Sequence, residues 1–70
     1  MLKQGKVVEF DNYIGYITDD ENEYMFLDFD LSEPINIGDI VIFKAEKIGE
    51  VYRAFFIEKS KDLVKTSSIS

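Results

Sequence analysis

Cysteine, histidine and tryptophan are absent from this chain, and proline occurs once. Without cysteine, neither a disulfide nor a thiolate metal site can staple the fold. Without histidine, the commonest general base and metal ligand is missing. No apolar run approaches the roughly 18 residues of a membrane span, and no signal-peptide pattern opens the chain. The expectation is a cytoplasmic protein that engages no membrane. Positive charge is also scarce. Eight Lys and Arg face 14 Asp and Glu, for a formal net charge of −6. That balance is the reverse of the basic footprint common in nucleic-acid binders, although a local basic edge can coexist with an acidic far side.

What is present suits a small all-β domain. Seventy residues allow one domain, and a hydrophobic content of 46% with 14% aromatics is compatible with a packed core. The stretch Ile14–Phe29 organises the rest. Two arms rich in aromatic and branched residues flank the polar turn Asp19–Glu23, which is a hairpin pattern. Alternation along the second arm separates Tyr24, Phe26 and Asp28 from Met25, Leu27 and Phe29. The expected core face holds Ile17, Met25 and Leu27, and the opposite face sets Tyr16 beside Phe26. Two readings of that second face stand. The rings are cross-strand pairs that stabilise the sheet, or they form a platform on which unpaired bases stack.

Gly5–Asp11 reads as a first strand, with Lys6, Val8 and Phe10 on one face and Val7 and Glu9 on the other. Asp11-Asn12 supplies a tight turn into a second strand, Tyr13–Thr18, and Tyr24–Phe29 completes a meander. Asp30–Gly38 is a long connection broken by Pro34, with room for one helical turn near Leu31. Ile40–Glu46, with Val41 and Phe43 on one face, and Val51–Ile57 form a second hairpin through Ile48-Gly49-Glu50. Residues 1–59 thus make the domain, and 60–70 are expected to form a flexible tail. Five short strands divided three and two match an all-β, five-stranded antiparallel Greek-key barrel that closes on itself.

No motif supports catalysis. Phosphate-binding glycine loops are missing, and no nucleophile stands beside a base. Asp28 and Asp30 read as a solvated acidic rim. Asp19–Glu23 has the composition of a calcium loop but lacks its glycine and terminal spacing. A protein without enzymatic activity, cofactor or specific metal is expected.

The residues do carry a family resemblance. Gly5-Lys6-Val7 with Phe10, Gly15-Tyr16-Ile17, Met25-Phe26-Leu27-Asp28-Phe29 and Gly38-Asp39-Ile40-Val41-Ile42-Phe43, with Ala54 in the last strand, resemble a cold-shock domain over roughly residues 2–59. The resemblance implies an OB barrel that binds single-stranded RNA or DNA through aromatics on its second and third strands. Carried over by position, the family's second lysine is Val8 and its tryptophan is Glu9. Its first phenylalanine of the Gly-Phe-Gly-Phe pattern is Ile14, its second is Tyr16, and its stacking histidine is Asp28. The implied nucleic-acid site comprises Phe10, Tyr13, Tyr16, Phe26, Asp28 and Phe29, with Lys3, Lys6 and Arg53 as phosphate contacts. Two lost platforms and two gained carboxylates imply weakened or altered binding. The alternative is a degenerate barrel that meets a basic protein partner through an aromatic patch rimmed by acid. A monomer is expected in either case.

Overall fold

The computed structural model describes residues 2–60; residue 1 and residues 61–70, on which the expected tail falls, lie outside the described part. Five strands follow in order: β1 (Leu2–Phe10), β2 (Ile14–Thr18), β3 (Glu23–Leu27), β4 (Ile40–Ile48) and β5 (Val51–Lys59). They close into a barrel with the order β1-β2-β3-β5-β4, β4 returning to β1. The expected all-β barrel is present, with one correction. The β3–β5 pair is parallel, through Met25 and Arg53, while every other pair is antiparallel.

Turn chemistry sets the meander. Asn12 takes a left-handed backbone angle, and the N–H groups of Tyr13 and Ile14 donate to Asp11 Oδ1 at 3.0 and 2.9 Å. The next turn repeats the device. Asp20 is left-handed, and Glu21 and Asn22 N–H donate to Asp19 Oδ1 at 3.0 and 2.9 Å. A short aspartate side chain can take the place of a backbone turn in this way. The turns therefore hold themselves, and the strands between them are free to specialise their two faces.

The inner face differs from the one expected. Tyr24 and Phe26 are fully enclosed with Val7, Ile17, Val41, Phe43, Ala54 and Ile57, while Met25 and Leu27 stand half-exposed outside. Cross-strand pairing explains the choice: Ile17 faces Tyr24 and Gly15 faces Phe26, both on the inside. Gly15 is what makes room. A Cβ there would lie 2.6 Å from both Glu9 O and Phe26 Cε1, closer than real Cβ contacts allow. The glycine thus marks an inward aromatic on the neighbouring strand. A one-residue change of phase exchanges every side chain between faces, which is how Phe26 moves from the expected ligand face into the core.

A β-bulge between Val7 and Glu9 makes a second phase change. Before it Lys6 points out and Val7 in; after it Glu9 pairs with Tyr16 outside and Phe10 with Gly15 inside. Lys6 and Phe10 therefore do not share a face, because Val8 is the extra residue. β1 also begins earlier than expected, at Leu2, and Leu2–Lys6 pair with β4 to close the barrel.

The third strand stops at Leu27, and Asp28–Asp30 form a 3-10 turn in place of further strand. Asp30 Oδ2 accepts from Leu27 N–H and from Arg53 Nη2, both at 2.9 Å, which fastens the turn to β5. The long connection then lies against β1. Gly38 N–H donates to Val7 O at 2.8 Å, and Val7 N–H donates to Asp39 O at 3.0 Å. This clamp places Ile37 beside the bulge.

Candidate nucleic-acid interface

One row of outward residues crosses the sheet through Glu9 on β1, Tyr16 on β2, Met25 on β3 and Arg53 on β5. A second row pairs Ile14 with Leu27. Ile14, Tyr16, Met25 and Leu27 thus form an apolar strip on the outside of the barrel. Where it meets the clamped connection there is an open groove of about 530 Å³, lined by Glu9, Phe10, Asp11, Ile14, Tyr16 and Ile37. Phe10 forms its floor. That ring belongs partly to the core, with its centroid 5.4 Å from that of Phe26.

Several of the expected site residues come together here. Tyr16 and Phe10 line the groove. Tyr13 is 72% exposed at the turn before β2, and Phe29 is 76% exposed on the 3-10 turn. Tyr13 O accepts from Asp28 N–H at 2.9 Å, which brings those two segments side by side. Asp28 is exposed at the same rim. Lys6 lies outward on β1 outside the groove lining, in a separate depression with Thr18, Asp19 and Asp20, and has no ion-pair partner among the described residues.

Other expected contacts fall elsewhere. Phe26 has no exposed surface and cannot stack on a ligand. Arg53 is committed: its guanidinium bonds Asp30, lies 4.8 Å over the Phe55 ring, and its side chain is 17% exposed. A phosphate would have to displace Asp30 to reach it. Lys3 stands 3.9 Å from Asp19. In compensation the structure adds residues that the sequence pattern assigned to the core or passed over. Met25 and Leu27 follow from the Gly15–Phe26 pairing. Ile37 sits in a connection with no periodicity, so no local signal marks it.

The electrostatics of the groove are set by carboxylates of two kinds. Asp11 is held below the usual carboxylate range by the N–H groups of Ile14 and Tyr13, and that oxygen is occupied. The exposed Glu9 carboxylate makes no hydrogen bond or ion pair among the described residues. At the barrel's other end Asp19 is also lowered, chiefly by the Asn22 N–H and further by the Tyr24 hydroxyl, which donates to Asp19 Oδ2 at 2.8 Å. Burial and that same carboxylate push the Tyr24 phenol up. These two groups serve the fold. Among the described residues no three carboxylates gather in a way that could hold a metal ion.

No family model matches the chain, and no curated protein matches it. A solved structure does. Drosophila Unr CSD456 is similar with a TM-score of 0.73 at 20% identity, over 86% of this chain and 27% of that one. The chain therefore spans about a quarter of that neighbour's length. The likeness is one of fold: a closed five-stranded barrel of the OB type.

Proposed function

We propose that this barrel is a binding module for single-stranded nucleic acid, RNA or DNA, which it holds on the outer face of β1–β3. The observation that carries the reading is the groove walled by Phe10, Ile14, Tyr16 and Ile37, which opens beside the outer face of β2 and β3 where OB barrels hold oligonucleotides. Tyr16 is the central stacker, with Tyr13 and Phe29 at the rim and Lys6 as the phosphate contact. A module of this kind acts by melting RNA structure or by tuning transcription or translation, as a cytoplasmic monomer without catalysis or cofactor.

Affinity should be modest. Each aromatic platform is worth roughly 1–3 kcal/mol per base, and the row from Glu9 to Arg53 offers one ring, Tyr16. One or two neutralised phosphates predict a log–log salt slope of only about −0.7 to −1.4. The test is an NMR titration of the labelled domain with short single strands at low and moderate salt. Shifts centred on Tyr16, Phe10 and Tyr13, reduced in Tyr16→Ala, are expected. Unmoved resonances at low salt would overturn the proposal.

A second reading has its own support. The groove lining contains two carboxylates and no cation, which suits a basic peptide as partner. The same titration with a short Lys/Arg-rich peptide separates the two.

A further inference from the structure

We infer that the groove discriminates among bases, preferring guanine, then cytosine or adenine, over thymine or uracil, because the carboxylate beside its stacking ring, Glu9, accepts hydrogen bonds and never donates them. The inference rests on the nucleic-acid reading of this site and specifies its ligand.

The geometry restricts what that wall can do. Glu9 is the outward partner of Tyr16, so a base stacked on the tyrosine brings its edge toward the carboxylate. The other lining carboxylate, Asp11, already accepts two backbone N–H bonds through Oδ1. The remaining walls, Phe10, Ile14 and Ile37, are apolar and distinguish no base edge. An ionised carboxylate accepts and never donates. The Watson–Crick edge of guanine offers N1–H and the N2 amino group side by side, two donors for two carboxylate oxygens. Cytosine and adenine each offer one amino group. Thymine and uracil place carbonyl oxygens on both sides of a single N–H, and these meet the carboxylate unfavourably. An unpaired strand exposes these whole edges to a protein, as a duplex does not.

The same carboxylate opposes the phosphate backbone, so base choice and overall affinity trade against each other at one residue. Glu9→Gln separates them. An amide can donate to a thymine carbonyl, and it carries no charge. Glu9 is exposed and without partners among the described residues, so this variant keeps the fold.

The experiment measures binding of dT-dT-X-dT-dT strands, X being G, C, A or T, to the parent and to Glu9→Gln, both with matched melting curves. For the parent, X = G should bind about 5- to 10-fold more tightly than X = T, the lower end of a bidentate contact because the site is open. In Glu9→Gln the ratio should fall toward one while the all-thymine strand binds more tightly. Equal binding of the G and T strands by the parent overturns the inference and leaves the nucleic-acid reading standing. So does a preference that survives unchanged in Glu9→Gln. Failure of every strand to bind at low salt overturns the nucleic-acid reading itself.

Discussion

Replacing Phe26 by alanine should unfold this protein more readily without reporting on ligand binding at all. The ring is wholly enclosed, packed on Phe10 and fitted over Gly15. Truncating an enclosed phenylalanine costs about 3–5 kcal/mol, from lost transfer energy plus the cavity left behind. A chain of 70 residues has about 4–10 kcal/mol of total stability to lose. At about 4–8 °C per kcal/mol for a domain of this size, the melting temperature should drop by roughly 12–40 °C. Phe29→Ala is the matched control. The same chemical change at a ring that is 76% exposed should cost no more than about 0.5 kcal/mol. Thermal melts followed by circular dichroism, with urea titrations on both variants, make the comparison. If Phe26→Ala melts within about 4 °C of the parent, less than about 1 kcal/mol has been lost. The ring would then face solvent, and the cross-strand register described above would be wrong.

Three further outcomes follow from the packing and the charges. Phe56, left-handed at φ 53 where β5 carries one extra residue against β4, is 69% exposed. Relief of its backbone strain, less the entropy cost of glycine, predicts that Phe56→Gly raises the urea midpoint by about 0.5–1 kcal/mol equivalent, whereas Phe56→Ala does not. Arg53→Met leaves Asp30 with only the Leu27 N–H and should destabilise by about 1–3 kcal/mol, with Arg53→Met/Asp30→Asn costing less than the sum of the two single changes in a double-mutant cycle. On acidification, Asp19 has a folded pKa below its unfolded 3.8, so its contribution is present above that value and is lost as pH falls through the folded one. Tyr24 is raised above 10.0, so its contribution is complete below pH 10 and is lost as pH climbs through the folded value. Urea midpoints measured across pH should therefore fall at both extremes, and Asp19→Asn should flatten the acid limb.

Much of the barrel was legible because its instructions are local. Asp11-Asn12 and Gly38-Asp39 announced their turns, and Asn12 and Gly38 take the positive φ expected of such residues. Val41 and Phe43 lie opposite in phase to Lys44 and Glu46 along the strand, and both are enclosed. Phase was harder to read. Tyr24, Met25, Phe26 and Leu27 are all apolar, so alternation in β3 has no polar partner to fix which pair turns inward. The information sits on the neighbouring strand, in Gly15, and is available only once the pairing is known. Val8 hid its bulge for a similar reason, since an extra valine resembles an ordinary strand residue. The candidate site inherited both ambiguities: Tyr16 and Phe10 line the groove, Phe26 is enclosed in the core instead, and Ile37 depends on a backbone clamp between distant segments. Arg53 looked free because nothing in the chain near it foretells Asp30, 23 positions away.

The closing seam between β1 and β4 also bears on how the domain folds. Leu2 pairs with Lys44, so the first strand waits for more than half the chain before its outer edge is satisfied. During synthesis the β1–β3 meander emerges first and can sample its local pairings, but Phe26 and Tyr24 have no lid until β4 and β5 arrive. Such non-local closure slows folding relative to hairpin formation. The groove is built on the early meander, yet one of its walls, Ile37, arrives with the connection to β4. A nascent chain should therefore expose aromatic surface before it possesses a binding site, and recognition should appear in the same kinetic phase as barrel closure.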